Sequence, residues 1–586
     1  MTNAEIAAVF EDIADLLDLA AGDRFRVISY RRAAENIAAQ SRSVEALARE
    51  GGVAALQALP GLGRHISDKI VELLETGSVA YHQELLAQFP PSLLELLRVP
   101  GLGPKKVALF YRTLGITSRA ELAAAATEQR LRDLPGMGAK SEEKILHSLE
   151  LYEESGRRAR LGEILPVAER LEGWLHEQPG VLQAQYAGSA RRGRDTVGDL
   201  DLLAASADPA PVCAAFAGEA GLEEVLVAGD TKVSGLLAGR QVDLRVVPPE
   251  SWGAALQYFT GSQAHNIALR ARAQKRKLTL NEYGLFEFED ETVGPRVAGA
   301  TEEEVYAALG LPWIPPELRE DRGELAAAEE GRLPTLLTEA DLRGDLHIHT
   351  DASDGHASLL EMVTAAEELG HEYIGITEHS ATLVVTNGLD ADRARAHRAT
   401  VDALNLSLRE QGSPLTVLFG TEADILLDGR LDLPEGSADL FDYVIGSVHS
   451  GFSDHADRMT ERLLTALGSG QMDILGHPTG RRLLERPPYA VHLEEVLAAA
   501  AKAGVAVEIN ASPARLDLDD VHARLLQEQG GLLAINTDAH AVPSLSDLRY
   551  GVLVARRGWI EAPTVINTWP LADLRQWLAR RRENRP

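Results

Sequence analysis

Three aspartates are spaced to meet on one sheet: Asp199 and Asp201 in VGDLDLL, and Asp243 in QVDLRVV. Residues two apart on a strand share a face, and Gly188 and Ser189 of GSARRG stand a short loop upstream. Two carboxylates about 4 Å apart repel by about 1 kcal/mol in water and about 4 kcal/mol at an effective dielectric of 20, so the cluster calls for cations. Two magnesium or manganese ions held there could lower the pKa of an attacking 3'-hydroxyl and neutralise a pyrophosphate leaving group. Ser189 and Arg192, beside a glycine that allows close backbone approach, suit a triphosphate.

A second constellation lies in the C-terminal half. His347 and His349 project to one face of a strand, and Asp354, His379, Glu422, His449, His477, Asp538 and His540 recur at the ends of other apolar runs. Of the 17 histidines, 12 follow residue 340. These nine donors exceed the three or four that one catalytic zinc takes, so two or three zinc or manganese ions are expected. Such ions with open positions can activate water for phosphoester hydrolysis.

The elements that must position these residues can be read from periodicity. Residues 1–150 show helical spacing, as in Ile6, Val9, Phe10, Ile13, Leu16 and Leu17, broken by Gly turns. An apolar residue followed by Pro-Gly-x-Gly opens LPGLGRHISDKI, VPGLGPKKVALF and LPGMGAKSEEKI. Turns of this kind at a helix start offer backbone N–H groups to a phosphate without reading bases. Alternating runs between about 180 and 250 predict an α+β sheet, and the Pro-, Glu- and Ala-rich stretch after Pro315 reads as a linker. Beyond Asp341, seven strand-like runs alternate with helical segments: DLHIHT, YIGITEHS, TVLFGTEAD, YVIGSVHS, MDILGHPTG, VAVEINASP and LLAINTDAH. That alternation predicts a seven-stranded (β/α) barrel whose polar strand ends face one mouth.

The chain of 586 residues, 45% hydrophobic and 25% charged, is long enough for three or four domains with real cores. A single cysteine, Cys213, excludes an intramolecular disulfide and a thiolate zinc finger. With no signal-peptide pattern and no apolar run long enough to span a bilayer, a cytoplasmic protein without membrane contact is expected. The formal charge of −30 opposes nucleic-acid binding taken as a whole. Its distribution does not, because the acidic excess is about 2 over residues 1–160, about 10 over 161–320 and about 18 thereafter. A nucleic-acid footprint therefore belongs in the N-terminal part, while the acidic C-terminal part suits cations.

Residues 1 to about 320 resemble the family X DNA polymerases, which fill gaps in repair. The resemblance rests on the three aspartates with GSARRG, GDTKVSG, YFTGS, NEYGLF and TEEEVYAALGLPWIPPELRE. It implies that Tyr258, Phe259 and Gly261 flank the incoming sugar and disfavour a 2'-hydroxyl, that Asn266 contacts the nascent base, and that Arg270 contacts the template strand. It also implies DNA clamping by two helix-hairpin-helix motifs through Gly61, Gly63, Arg64, Gly101, Gly103, Lys105 and Lys106. Lys69 aligns with the Schiff-base lysine of some relatives and is a DNA-binding and lyase candidate, with Arg26, Tyr30 and Arg31 nearby and His65 in place of a phosphate-binding lysine. One departure concerns Gln241, which stands where the well-known animal relative has arginine two residues before the third aspartate. Residues 341 to about 575 resemble the polymerase and histidinol phosphatase (PHP) family through HIHTDASDG, ITEH, GTEAD, GSVHSG, GHPTGR and NTDAH. That resemblance assigns metal ligation to all nine positions named above. His356, His371, His397, His455, His492 and His522 match no ligand position.

The combined expectation is a multidomain α+β and α/β chain. It has a helix-hairpin-helix domain over 1–82, a fingers-like helical domain over 83–155, a nucleotidyltransferase palm over 156–249 and a thumb-like subdomain over 250–318. A linker over 319–340 and a PHP barrel over 341–586 follow. The expected enzyme is a monomer taking dNTPs and gapped or nicked duplex DNA, with two Mg2+ or Mn2+ ions in the palm and two or three Zn2+ or Mn2+ ions in the barrel. The barrel is expected to shorten or clean 3' ends, and the resemblance extends this to abasic-site incision. Two other readings stay open: a polymerase whose barrel hydrolyses small phosphoesters, and a DNA-binding scaffold with an inactive barrel.

Overall fold

The computed structural model describes the chain except residues 2, 21, 39–43, 60, 91, 98–101, 140, 144, 147–148, 150–157, 290–291, 383–385, 434–439 and 584–586. It divides into two compact units. The first comprises Met1–Ala159, Val167–Ser189 and Val197–Glu330, and the second Arg160–Pro166, Ala190–Thr196 and Gly331–Pro586.

The first unit begins with helices Asn3–Leu19, Arg24–Ala38, Val44–Gln57 and Arg64–Thr76. The three-and-four spacing buries Ile6, Phe10, Ile13 and Leu17 against Tyr30, Ile66 and Ile70. Helix Arg64–Thr76 stops at Gly77, whose φ of 75° is the left-handed conformation that glycine adopts without a Cβ penalty. Helix Pro104–Leu114 starts on proline, whose missing N–H costs nothing in a first turn.

A five-stranded sheet follows, formed by β1 (Gln183–Tyr186), β2 (Leu200–Ala205), β3 (Glu224–Ala228), β4 (Lys232–Leu237) and β5 (Arg240–Val247). Its order is β1-β2-β5-β4-β3, and only the β2–β5 pair is parallel. Helix Trp252–Thr260 covers one face, where Trp252, Ala255 and Leu256 meet Leu203, Ala205 and Val247. Beyond it come helix Gln263–Lys275 and an antiparallel sheet of β6 (Leu278–Asn281), β7 (Gly284–Glu289) and β8 (Thr292–Ala298).

The stretch read as a linker, 319–340, is folded from its first residue. Arg319 and Glu324 are fully buried, helix Glu324–Glu329 buries Ala327 and Ala328, and Leu337 is buried as well. Composition misleads here because the charged residues find buried partners far away in sequence.

The second unit is a parallel barrel of seven strands joined in chain order: β9 (Gly344–Ile348), β10 (Tyr373–His379), β11 (Thr416–Asp424), β12 (Tyr443–Ser447), β13 (Ile474–Leu475), β14 (Ala506–Asn510) and β15 (Leu532–Asn536). A bridge between Ile348 and Ala539 brings the last strand's exit back to the first. Nearly every strand residue is buried, as expected of parallel strands packed on both faces. Helices including Leu359–Glu368, Ala391–Glu410 and Leu493–Ala503 connect them. Among the described residues no helix is long and apolar enough to cross a membrane.

Candidate functional sites

In the first unit the strand register does what the sequence spacing implies. Asp201 on β2 pairs with Asp243 on β5, and Asp199 lies just before β2. Ligand atoms of the three carboxylates lie within 4.8 Å of one another. Gly188, with φ 60°, sits so close that a Cβ there would meet Asp201 Oδ2 at 2.5 Å. Gln241 Nε2 donates to Asp243 Oδ2 at 3.0 Å, so a neutral amide holds this carboxylate. Lys232 Nζ lies 3.7 Å from Asp243 Oδ1, which is buried without a hydrogen bond. Three clustered carboxylates with one orphaned buried oxygen fit a divalent cation.

Ser189 belongs to the single helical turn Gly188–Arg191, and Arg192 follows it, its carbonyl accepting from Arg557 Nη1 at 2.9 Å. Tyr258 and Phe259 end their helix edge to face at 5.1 Å, with the Arg245 guanidinium 5.0 Å from the Phe259 ring. Gly261 turns the chain at φ 69°, ψ −150°, a combination open essentially to glycine alone. The Asn266 amide is engaged inside this turn, accepting from Gln257 Nε2 and donating to the Tyr258 carbonyl, both at 2.7 Å. Arg270 Nε donates to the Asn266 carbonyl at 3.3 Å.

In the N-terminal helices, Gly63 and Gly103 hold the N-cap positions of their helices without a side-chain cap, and Gly61 has φ 73°. Arg64 opens the first of these helices, and Lys105 and Lys106 lie in the first turn of the second. Gly101 lies outside the described residues. Lys69 Nζ and the Arg26 guanidinium stand 4.9 and 5.0 Å from the Tyr81 ring centre, and Tyr30 OH meets His65 Nε2 at 3.2 Å. Arg31 is paired with Asp15 at 2.7 Å.

In the barrel the nine named side chains converge. Glu422 lies at the centre: Oε1 is 3.0 Å from His477 Nε2, 3.3 Å from His449 Nε2 and 3.6 Å from His347 Nε2. Its Oε2 is 2.8 Å from His379 Nδ1 and 3.6 Å from His349 Nε2. Asp538 Oδ1 approaches His349 Nε2 at 3.3 Å and His347 Nε2 at 3.6 Å. Asp354 reaches His379 and His540, each at 3.4 Å. Three groups of donors have metal-binding proximity: His349, Asp354, His379 and His540; His347, His349 and Glu422; and His379, Glu422 and His449. His477 and Asp538 are left-handed non-glycine residues, φ 22° and 55°, of the kind that persist where surrounding structure over-determines them.

The electrostatics fit cations. His347 Nε2, both nitrogens of His349, the Nδ1 atoms of His449 and His477, and Glu422 Oε2 are buried without a hydrogen bond, a state that costs about 1–3 kcal/mol per group unless something else satisfies it. Burial opposes charge on His379, but Glu422 and Asp354 outweigh it and raise its pKa to about 10. The same contest, with Glu422 and Asp424 as partners, raises His449 to about 9. Burial and the neighbouring imidazoles of His379 and His540 push His349 down to about 4. Burial would raise the Glu422 carboxyl, yet the histidines around it hold it well below the ordinary range. Side-chain exposure climbs from 0% at His347 and His349 and 1% at Glu422 to 27% at Asp354 and 33% at His540, so the cluster opens to solvent on the Asp354–His540 side.

A helix-hairpin-helix domain matches residues 1–79, a SAM-like helix-hairpin-helix tandem 93–150, a DNA polymerase beta thumb 255–320, and a PHP domain 345–512. Over 583 residues the chain is 36% identical to the DNA polymerase/3'-5' exonuclease PolX of Bacillus subtilis, covering 99% of this chain and 100% of that protein. The chain belongs to family X of the DNA polymerases. This family X chain carries its PHP domain match in the C-terminal barrel. It is also 26% identical to DNA polymerase lambda of Rattus norvegicus, over 51% of this chain and 53% of that one. Over 236 residues it is 30% identical to a probable phosphatase of Thermoanaerobacter, 38% of this chain and 89% of that protein.

Two carboxylates escaped the motif reading of this family X chain. Glu508 on β14 is fully buried and accepts from His347 Nδ1 at 2.7 Å and the His477 amide at 2.8 Å. A hydrogen-bonded Nδ1–H leaves Nε2 as the ligand atom, the arrangement that orients metal-binding imidazoles. Glu378 accepts from Thr350 Oγ1 at 2.5 Å and from Ser353 Oγ, pinning the loop that carries Asp354. The only sequence signal for either is an acidic residue inside an otherwise apolar strand, AVEIN and YIGITEH.

Proposed function

We propose that this family X polymerase fills short gaps in duplex DNA at Asp199, Asp201 and Asp243, and trims 3' ends at the PHP cluster. The reading of a DNA polymerase/3'-5' exonuclease rests on the full-length relationship to the Bacillus subtilis protein. The observation that carries the assignment of two sites is the pair of separate donor clusters, three carboxylates in one unit and seven imidazoles and carboxylates in the other, with His477 and Asp538 against them. Divalent cations held at either cluster would supply charge neutralisation and activation of an attacking oxygen. Gly188 lets the backbone approach Asp201, Gln241 holds the Asp243 carboxylate, and the Tyr258–Gly261 turn is assigned to the incoming sugar. Gly61, Gly63, Arg64, Gly103, Lys105 and Lys106 are assigned to the DNA backbone, because uncapped helix starts and cations suit phosphates. In the barrel, Glu508 orients His347, Glu378 holds the Asp354 loop, and the open Asp354–His540 side admits the 3' end.

The test uses one 5'-labelled gapped duplex with magnesium or manganese, with and without dNTPs. Extension should vanish only in Asp199→Ala/Asp201→Ala, and 3' shortening only in His347→Ala/His349→Ala. The barrel's likeness to a probable phosphatase favours a second reading, hydrolysis of small phosphomonoesters. That reading takes over if the histidine variant shortens DNA like the parent. Lys69 is assigned a 5'-phosphate contact and is also the candidate lyase nucleophile; borohydride failing to trap a DNA adduct through Lys69 would remove the lyase.

A further inference from the structure

A buried polar network joins the Tyr258–Gly261 turn to the segment after the thumb. His265 and Glu324, both 0% exposed, meet at 2.6 Å through Nδ1 and Oε1, and His265 Nε2 meets Tyr306 OH at 2.9 Å. Backbone fills the rest of the Glu324 carboxylate, the amides of Asp321 and Arg322 donating at 3.0 and 2.8 Å. Arg319, equally buried, lies 5.2 Å from the Tyr306 ring centre, and its carbonyl accepts from the Ser262 amide at 2.9 Å. Ser262 Oγ in turn caps the following helix by accepting from the His265 amide at 3.2 Å.

Such a network is a poor source of stability, since apolar side chains of similar volume fill buried space as well or better; its best-attested use is to select one geometry. The geometry selected here is that of the turn. His265 directly precedes Asn266, whose amide reaches back to the Tyr258 carbonyl at 2.7 Å. The two hydrogen bonds on the His265 ring and the one on the Ser262 amide therefore fix the helix start and, through Asn266, the backbone of Tyr258.

We propose that Glu324, acting through His265, is a positioning residue for sugar selection. The segment after the thumb sets how closely the Tyr258–Gly261 backbone faces the incoming sugar, and so how strongly a ribonucleotide is refused. The inference rests on the reading of this turn as the nucleotide-selecting segment. A shift of less than an ångström is enough, because a displacement of about 1 Å can change a rate on the order of a hundredfold.

The test compares Glu324→Gln, His265→Phe and Tyr306→Phe in the full-length protein, measuring kcat/KM for a dNTP and the matching rNTP on a one-nucleotide gap. Melting temperature and 3'-5' exonuclease are read on the same preparations. Tyr306→Phe removes a single oxygen and keeps the ring, so at least one variant remains folded. The dNTP-to-rNTP ratio should fall about tenfold in the first two variants, equivalent to about 1.4 kcal/mol, and less but in the same direction in Tyr306→Phe. Exonuclease should stay at the parental level. A ratio unchanged in all three variants, whatever happens to melting temperature or KM, overturns the proposal and leaves the network a structural pair. Tyr258→Ala and Asn266→Ala run in parallel: if they too leave the ratio unchanged, the reading of the turn has failed. If they change it while Glu324→Gln and His265→Phe do not, only the present inference has.

Discussion

Replacing Glu508 by glutamine changes one atom in a carboxylate that takes four hydrogen bonds. Oε1 accepts from His347 Nδ1 at 2.7 Å and Asn536 Nδ2 at 2.9 Å; Oε2 accepts from the His477 amide at 2.8 Å and Asn510 Nδ2 at 3.2 Å. A carboxamide of the same shape retains one accepting oxygen and presents an NH2 group to the other two donors. If the NH2 faces the His477 amide, two buried donors lose their acceptor, each costing about 1–3 kcal/mol. If it faces His347, the imidazole must accept at Nδ1 and carry its proton on Nε2, the atom aimed at Glu422. In the first orientation the His477 backbone, and in the second the His347 ring, loses the partner that holds a ligand in place, and loss of such an orienting partner lowers metal affinity about 10- to 100-fold, or about 1.4–2.7 kcal/mol. The assay is calorimetric titration of the metal-free protein with manganese or zinc, in an Asp199→Ala/Asp201→Ala background so that only the barrel reports. Glu508→Gln binding with the parent's affinity and stoichiometry would refute the reasoning, because it would mean that the hydrogen bonds Glu508 accepts from His347 and His477 have no bearing on ligation.

Metal loading of the barrel should release protons at pH 7. His379 and His449, raised by Glu422 and its neighbouring aspartates to about 10 and about 9, carry protons at that pH without metal and must shed them to ligate. Affinity should therefore climb as pH rises from 6 towards 9, and calorimetry in buffers of different ionisation enthalpy would expose the idea as wrong if no protons were released. Gly188→Ala combines a left-handed φ with a Cβ set against Asp201 Oδ2; it should cut DNA synthesis at least about fivefold, since the conformation alone costs about 1–2 kcal/mol, while exonuclease persists. Equal synthesis by parent and variant on a gapped primer would count against the close approach. Lys105→Ala/Lys106→Ala should weaken gapped-DNA binding and reduce the slope of log affinity against log salt by about 1.8, for two phosphate contacts at about 0.9 each. An unchanged slope by fluorescence anisotropy would remove both lysines from the DNA interface.

The sequence by itself determined what depends on local order. The alternation of short apolar runs with helical stretches gives seven parallel strands, because parallel neighbours need a crossover, usually a helix, between them. Helical spacing likewise buries Ile6, Phe10, Ile13 and Leu17 in one face. The motifs also name the side chains that the folded chain draws together, Asp201 and Asp243 in one sheet with Asp199 just before it, and nine donors at one barrel mouth, the latter because barrel topology brings the ends of parallel strands to a single face. Only the tertiary structure decided which partners those side chains take. Glu508 stands 161 residues from His347 and Glu324 stands 59 from His265; no period or turn signal spans such separations, so a lone acid in an apolar run and a charged stretch read as a linker carried no local mark of their roles. The same holds for Asn266, to which the family resemblance assigns a base contact and whose amide partners, Gln257 and the Tyr258 carbonyl, only the fold supplies. Hydrogen-bond geometry and desolvation act over a few ångströms in space without regard to distance along the chain, so the orientation of each functional group belongs to the fold, whereas its chemical identity belongs to the sequence.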